Sequence, residues 1–292
     1  MSPSPRYLSL RRLALVLGAV TLSSVHALPA VDATIDNDPM FIEARQIMEN
    51  SLALSQRQNF DIPEGLAQFP SGPLNMFLRI ISTLPVGEKA LDAVGKILTP
   101  LQQSLADSAG IETTRNDLAR NAPCADVTVI FARGTTEPGN VGLVAAPPFL
   151  DALATQLGSK TLAAQGVEYP ATFAGFNDNG VNGVPSMTSF INQAGTNCPA
   201  TKIVLSGYSQ GALVLRSTAD TLPAATMARI SSIVTFGDPR NPQPITGGEG
   251  KTLIICQESD AVCSGGFINV AHLTYGANAT VAAQFVVEKA SG

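Results

Sequence analysis

The sequence predicts an α/β domain in which helices cover both faces of a mostly parallel sheet, preceded by a helical extension. After Cys124, short apolar runs alternate with helical patterns, whereas the region before it has helical spacing and no strand signal. The first run, 127–131, is continuously apolar, as expected for a strand that is buried on both faces of a parallel sheet.

The remaining elements alternate regularly along the chain. Further strands are predicted at 167–169, 202–205, 230–236 and 253–255, and helices at 147–157, 187–197, 212–218 and 281–288. Right-handed strand–helix–strand connections then place helices on both faces of a five-stranded sheet. We find neither an internal repeat nor a low-complexity tract.

The extension covers residues 28–121. Apolar residues recur at helical spacing over 41–54 and 91–105, and a proline-punctuated stretch between them carries an apolar cluster at 74–81. Three interpretations remain open: a propeptide, a lid over an apolar site, or extra helices packed on the core. The last is favoured.

Residues 1–27 have the features of a secretory signal peptide. Three arginines (Arg6, Arg11, Arg12) precede the apolar run 13–20, and Ala27 suits the cleavage site. A membrane anchor is disfavoured because the run is far shorter than the roughly 20 residues that span a bilayer. No later segment has the pattern of a membrane span. We therefore predict a secreted, extracellular protein in which residues 122–292 form the α/β domain.

The overall charge argues against polyanionic partners. Only 14% of residues are charged, and the net charge of −5 with a pI near 5.0 leaves no basic footprint for nucleic acid or an anionic membrane.

Four cysteines in an exported chain favour two disulfides, for which three pairings are possible. Cys256 and Cys263 bracket a short loop that a local bridge would clamp, leaving Cys124 and Cys198. A zinc site is the disfavoured alternative, because no Cys-x-x-Cys pair exists and export removes one of the two histidines. Asn278 begins an N-glycosylation sequon.

The strongest motif is Gly-Tyr-Ser-Gln-Gly at 207–211, between a predicted strand and a predicted helix. In a nucleophile elbow, the serine lies on a strained turn in this context, and the glycines avoid collisions with neighbouring backbone. The alternative is an ordinary glycine-rich turn. We predict that Ser209 is a nucleophile at the carboxyl end of the sheet.

A serine hydroxyl requires a general base, and His272 is the candidate because His26 lies at the signal junction. The acid should lie between Ser209 and His272 on a loop after a late strand, the order found in α/β-hydrolases. Asp260 fits best, Asp238 is the rival and Glu258 is a weaker third.

Oxyanion donors are expected next to the nucleophile. The backbone amide of Gln210 is one, since it follows the serine in the elbow. Thr135, in the turn after the first strand, could supply an amide and a hydroxyl. A polar turn in which Thr135 caps the next segment is equally consistent with its position.

Taken together, these motifs resemble the cutinases, secreted serine esterases of fungi. The resemblance runs from about Cys124 to the C-terminus through FARGTTEPGN (131–140), GYSQG (207–211), FGDP (236–239), CQESDAVC (256–263) and AHLTY (271–275). It implies a three-layer αβα domain, a Ser209–Asp260–His272 triad and an oxyanion hole of Thr135 and Gln210. It also implies the disulfides Cys124–Cys198 and Cys256–Cys263.

The resemblance further implies hydrolysis of cutin, the plant polyester, and of short to medium acyl esters, without metal or cofactor, by a monomer. Apolar residues around the histidine (Phe267, Ile268, Val270, Leu273) suit an acyl-chain crevice. Two departures from the family pattern concern access to the site. The 264–271 segment is about one residue shorter than expected, and Ala271 stands where family members commonly have proline. The extension has no counterpart in the resemblance. The alternatives are an acetylxylan esterase and a catalytically silent surface-binding protein.

Overall fold

The structure is a computed structural model that describes residues 66–82, 84 and 88–291. The five strands of this part are β1 Val127–Ala132, β2 Leu162–Gly166, β3 Lys202–Tyr208, β4 Ile230–Phe236 and β5 Thr252–Ile255. Its α-helices are α1 Ser71–Ser82, α2 Glu88–Ala109, α3 Ala146–Leu157, α4 Phe173–Asn177, α5 Val184–Asn197, α6 Gln210–Ala219, α7 Ala224–Met227 and α8 Ala279–Ser291. Short 3₁₀ helices lie at Val181–Gly183, Ala261–Ser264, Val270–Leu273 and Tyr275–Asn278.

The five strands form one sheet in the order β2-β1-β3-β4-β5, and every pair is parallel. The chain passes from β1 outward to β2 and then returns to β3 on the other side of β1. Such a reversal opens a crevice at the carboxyl ends of the two neighbouring strands. Ala132 of β1 pairs with Gly207 of β3, so the loops that follow these strands leave the sheet side by side.

Helices cover both faces of the sheet, which gives the predicted three layers. In β1, Val129 and Phe131 pack into the cluster that includes α3 and α8, whereas Ile130 packs with α5 and α6 on the other face. Alternation along a strand that is buried throughout explains why the run 127–131 is continuously apolar.

The described part of the extension packs on this domain. Apolar residues of α1 and α2, among them Phe77, Leu78 and Leu98, belong to the same core cluster as β1, α3 and α8. Residues just before β1 also add to the edge of the sheet: Asn116 bridges Gln165 in antiparallel fashion, and the amide of Gly166 donates to the carbonyl of Arg115 at 2.8 Å. These residues therefore pack on the core, while the choice among propeptide, lid and packed helices stays a prediction.

Four of the five predicted strands and the four predicted helices of the domain are confirmed, with ends that differ by no more than three residues. The strand predicted at 167–169 is wrong, because the edge strand is Leu162–Gly166. Pairing of Val127 with Leu162 and of Phe131 with Gly166 fixes this register, although Leu-Ala-Ala-Gln-Gly has no β-branched residue.

The helix predicted at 91–105 is confirmed as α2. The signal peptide and the helix predicted at 41–54 lie outside the described residues. Over the described ranges, no helix combines the length and apolar character needed to cross a membrane.

Candidate active site

Ser209 lies on the sharp turn between β3 and α6. Its backbone adopts φ 55° and ψ −118°, a conformation that costs a non-glycine residue free energy, and its amide donates to the carbonyl of Phe236 at 2.9 Å. Since strain of this kind persists only where the surroundings impose it, the turn is a specific feature of the fold. It aims the serine at a cavity that Ser209 itself lines.

The two glycines of the motif are required because a side chain at either position would collide with neighbouring backbone. A Cβ on Gly207 would lie 2.3 Å from the carbonyl oxygen of Gly211, and a Cβ on Gly211 would lie 1.9 Å from the carbonyl oxygen of Ala132. Both distances are far below van der Waals contact. The Gly-x-Ser-x-Gly spacing therefore lets α6 pack against the ends of β1 and β3.

His272 and Asp260 come together although they lie on different loops. The histidine Nδ1 is 2.7 Å from Asp260 Oδ2, and both side chains are buried. An ionised carboxylate only accepts hydrogen bonds, so Nδ1–H is the donor and Nε2 is left as an acceptor. This Nε2 is buried and finds no hydrogen-bond partner in the described part of the chain, and His272 lines the same cavity as Ser209.

Asp260 is held by three donors. Besides His272, the amide of Val262 donates to Oδ1 at 3.0 Å, and the phenol of Tyr275 donates to Oδ2 at 2.6 Å. Burial raises the pKa of Asp260, but the hydrogen bonds from His272, Tyr275 and Val262 and the charge of His272 outweigh it, and the pKa falls below its ordinary value. The carboxyl group is therefore held in its ionised form.

The loop that carries Asp260 is closed by a disulfide between Cys256 and Cys263, and a second bridge joins Cys124 to Cys198. These are the pairings that the resemblance implies. The zinc alternative is excluded for these four thiols, because each is bonded to another cysteine. In the described residues, no group of three or more His, Cys, Asp or Glu side chains has the arrangement of a metal site.

The two rival carboxylates lie elsewhere. Asp238 is fully buried and accepts from Arg216 Nε at 2.8 and 2.9 Å, and from the amide of Arg240 at 3.0 Å. Glu258 is exposed on the Cys256–Cys263 loop. Asp238 therefore forms a buried ion pair with Arg216 of α6, and Asp260 is the carboxylate that contacts the histidine.

Thr135 and Gln210 are neighbours beside the turn of Ser209. The Thr135 hydroxyl donates to Gln210 Oε1 at 2.9 Å, while Gln210 Nε2 is buried without an acceptor among the described residues. Gln210 is the first residue of α6, where backbone amides have no acceptor within the helix. The backbone amide of Gln210 and the hydroxyl of Thr135 thus lie close to Ser209, the predicted nucleophile.

The loop between β1 and α3 is held rigid from within. Glu137 is buried and accepts from the amides of Gly134 at 2.7 Å, Leu143 at 2.9 Å and Val144 at 2.8 Å. Burial raises the pKa of Glu137, while these amides and Arg133 lower it, and the net shift is upward. The side chain therefore anchors the loop that carries Thr135.

A cavity of about 630 Å³ lies in front of Ser209 and His272. Its walls are largely apolar and come from α1, α2, α4 and the segment around His272; they include Phe77, Ile81, Leu91, Phe173, Ile268 and Leu273. Gln102 of α2 also lines it. Phe267, at its rim, is 84% exposed. The space has the size and character of a site for an acyl chain or a similar apolar ligand.

Comparison with known proteins decides the family. A family model described as Cutinase matches residues 123–290, which is more than half of the chain. The chain belongs to the cutinase family. Its relatives of this name are serine esterases, and this cutinase-family protein is a serine esterase with the α/β-hydrolase fold.

Three relatives illustrate the similarity. A cutinase of Hypocrea jecorina (strain QM6a) is 42% identical over 217 residues, covering 73% of this chain and 85% of that protein. A cutinase of Botryotinia fuckeliana is 45% identical over 206 residues, covering 70% of this chain and 98% of that protein. A solved structure of Trichoderma reesei cutinase in complex with a C11Y4 phosphonate inhibitor is 41% identical, with a TM-score of 0.66, covering 75% of this chain and 100% of that one.

These matches also revise one expectation about the extension. The part of the chain after residue 122 is 170 of 292 residues, or about 58%, whereas the Hypocrea cutinase covers 73%. The similarity therefore reaches into the predicted extension. The expectation that this region is unmatched in the family is wrong for the part of it that the alignment reaches.

Two tyrosines of this candidate site have no role in the sequence-based prediction. Tyr275 contacts Asp260, as described above, and Tyr208 donates from its hydroxyl to the carbonyl of His272 at 2.7 Å while its ring stacks on the imidazole at 5.0 Å. Both lie inside quoted motifs, at the second position of GYSQG and at the end of AHLTY. That placement is a signal that a sequence analysis could have used.

Proposed function

We propose that this cutinase-family protein is a secreted carboxylic ester hydrolase that acts on cutin and on short to medium acyl esters. Ser209 would be its nucleophile, His272 its general base and Asp260 the carboxylate that orients the base. One observation supports this most strongly: His272 Nε2 is buried without a partner among the described residues and lines the cavity of Ser209, while Nδ1 is bonded to Asp260.

The proposed acylation begins when His272 Nε2 takes the proton of Ser209 Oγ as this oxygen attacks the ester carbonyl carbon. The carbonyl oxygen becomes an oxyanion in the tetrahedral intermediate. The bond to the alcohol oxygen then breaks, His272 returns the proton to that oxygen, and an acyl-enzyme on Ser209 remains. Water activated by the same Nε2 attacks the acyl-enzyme, and the acid leaves as Ser209 regains its proton.

The oxyanion would be stabilised by the amide of Gln210 and by Thr135. Each well-placed donor contributes about 3 kcal/mol to stabilising the transition state. The Thr135 hydroxyl has one proton, which is directed to Gln210 Oε1. A 180° rotation of the Gln210 amide would make Nε2 the donor to Thr135 Oγ and free that proton for the oxyanion.

The substrate class follows from the cavity and the relatives. Apolar walls beside Ser209 suit an aliphatic acyl chain, and the relatives of about 42% identity are named cutinases. An acetylxylan esterase would need only an acetyl site and a polar groove for the sugar chain. The apolar lining therefore favours longer acyl groups over that alternative.

We also propose that α1 acts as a cover on this site. Phe77 and Ile81 of α1 line the cavity and are only 6% and 5% exposed. A polymer chain could reach Ser209 only past such side chains or by moving them. The lid interpretation and the packed-helix interpretation then describe the same residues in two states.

Export is proposed on the predicted signal peptide of residues 1–27 together with the two disulfides, which persist in oxidising compartments. The protein is proposed to act as a monomer that needs no cofactor.

The function is tested with protein that begins at Leu28, assayed on p-nitrophenyl esters from acetate to palmitate, on cutin and on acetylated xylan. We expect hydrolysis of cutin and highest kcat/KM at short to medium chains, with little release of acetate from xylan. Preference for acetylated xylan would favour the acetylxylan esterase alternative. Absence of all three activities would favour the silent surface-binding protein.

A further inference from the structure

The loop of Thr135 contains a strained residue that the reaction scheme does not use. Thr136 has φ 63°, in the left-handed region. For a β-branched residue this conformation is a genuine outlier, and it persists only where neighbouring groups determine it. Thr135 precedes it directly and shares a peptide bond with it, so groups that fix Thr136 also restrain the position of Thr135.

The groups that hold Thr136 come largely from α2, in the extension. Gln102 Nε2 donates to the carbonyl oxygen of Thr136 at 3.1 Å and to its hydroxyl at 3.0 Å, and Thr99 Oγ donates to the same carbonyl at 2.8 Å. From the other side, the amide of Thr136 donates to the carbonyl of Ala171 at 2.8 Å. Three of these four hydrogen bonds therefore depend on one helix.

The contact between α2 and this loop is close and buried. Gln102 is 2% exposed, and a Cβ on Gly95 would lie 3.2 Å from the side-chain methyl of Thr136. A buried glutamine amide costs folding free energy unless its hydrogen bonds are well aligned. The bonds from Gln102 to the carbonyl and the hydroxyl of Thr136 therefore require a fixed geometry. The backbone of α2 can approach this closely because position 95 has no side chain.

We propose that Thr99 and Gln102 are positioning residues for the oxyanion site. They hold Thr136 in its left-handed conformation and thereby keep Thr135 directed at the oxygen that becomes negative. This inference rests on the proposed function, because it presupposes that Thr135 serves the oxyanion. It gives the two helices of the extension different roles: α1 covers the cavity, whereas α2, which also lines it through Leu91 and Gln102, is a permanent part of the catalytic structure.

The test uses the full chain from Leu28 with Gln102→Met, Thr99→Val and the double variant. Each substitution nearly keeps the side-chain volume and removes the donor. Gln103→Met is the matched control on the same helix: Gln103 Nε2 donates to Asp107 Oδ1 and its Oε1 accepts from the Thr113 hydroxyl at 3.3 Å, and neither contact involves Thr136. The substrate is p-nitrophenyl butyrate, and rates are expressed per active site titrated with a p-nitrophenyl phosphonate.

We expect kcat to fall about tenfold in Gln102→Met and further in the double variant, with KM within about twofold of wild type. A loss confined to the transition state lowers kcat and kcat/KM together, and removal of a whole oxyanion donor costs about 10²–10³-fold. The rate of phosphonylation should fall in parallel. Thr99→Ser, which keeps the hydroxyl, should remain close to wild type, as should Gln103→Met.

Wild-type kcat in the double variant would overturn the inference, as would an equal loss in Gln103→Met or a raised KM with unchanged kcat. The last two results would mean that α2 merely anchors the extension. If the double variant does not fold, the single variants decide by the same criteria. Ser209→Ala separates this inference from the proposed function: if that variant keeps its activity, the function itself is wrong, whatever Gln102 does.

Discussion

The hydroxyl of Tyr275 donates a hydrogen bond of 2.6 Å to Oδ2 of Asp260, the same oxygen that lies 2.7 Å from His272 Nδ1. The carboxylate thus receives two strong donors on one oxygen. Burial raises the pKa of the Tyr275 phenol and the bond to Asp260 raises it further, so the phenol keeps its proton and remains a donor.

Replacing Tyr275 with Phe should weaken both catalysis and the stability of the fold at neutral pH. A hydrogen bond to a charged group contributes about 1.5–3 kcal/mol, so we expect kcat to fall about tenfold as Asp260 loses its orientation and part of its charge stabilisation. The pKa of Asp260 should rise toward its ordinary value. Ester hydrolysis measured as kcat and KM checks the first effect.

The pH dependence of unfolding checks the second effect. Because the folded-state pKa of Asp260 lies below its ordinary value of 3.8, its contribution stabilises the fold above that value and disappears as the pH falls through the folded pKa. The stability lost in Tyr275→Phe should therefore be largest near neutral pH and shrink below about pH 3.8. A difference that stays constant down to low pH would contradict the link to Asp260.

Asp260→Asn and Asp238→Asn form a matched pair that separates the two carboxylates. Asp260→Asn should lower kcat by about 10³–10⁴-fold, since an amide no longer fixes the reactive imidazole tautomer. Asp238→Asn should leave activity per folded molecule close to wild type. It should instead lower stability by about 3–5 kcal/mol, because Arg216 loses its buried partner.

Urea unfolding measures the free energy of unfolding of both variants, and kinetics normalised to titrated active sites measure their kcat. If Asp238→Asn loses activity while Asp260→Asn keeps it, the assignment of the acid is reversed.

The two disulfides should differ in what their removal affects. Cys124–Cys198 spans 74 residues and Cys256–Cys263 spans 7, so loop-closure entropy predicts losses of about 4.5 and 2.5 kcal/mol respectively. Activity should respond in the opposite order, since the short loop carries Asp260. Double serine variants of each pair, compared by thermal unfolding and by kcat, test this; a larger kcat loss in Cys124→Ser/Cys198→Ser would refute it.

Phe77→Ala should make the cavity easier to enter. Burying a phenylalanine contributes about 1.5–3 kcal/mol, so removing the Phe77 ring weakens the packing of α1 against the core. States in which α1 is displaced from the cavity are then more populated. We expect kcat/KM for long acyl esters to rise severalfold, with little change for acetate. Phe285→Ala on α8 is the control, and an equal effect there, or a decrease for long esters, would argue against a cover.

Much of this site was accessible to sequence analysis because its chemistry is local in the chain. Ser209 is flanked by the glycines that its turn requires, and Asp260 is one of the six residues between the bridged Cys256 and Cys263. His272 is the only histidine after the predicted signal peptide. In each case a short motif or a process of elimination carried the information.

Apart from the two tyrosines, the features that were missed depend on contacts between distant segments. Gln102 meets Thr136 across 34 residues, and no periodicity distinguishes Gln102 from any other polar residue of α2. The edge strand was misplaced for a similar reason. Its register comes from pairing with β1 and from Asn116 on its open side, whereas local propensity favoured Val167.

The central claim is that Ser209 is the nucleophile, activated by His272. Its most direct test is to treat the protein with an alkyl p-nitrophenyl phosphonate and to locate the adduct by peptide mass spectrometry. We predict one adduct, on Ser209, together with complete loss of esterase activity, and neither adduct nor activity in Ser209→Ala. An adduct on another residue, or esterase activity that persists in Ser209→Ala, would contradict the claim.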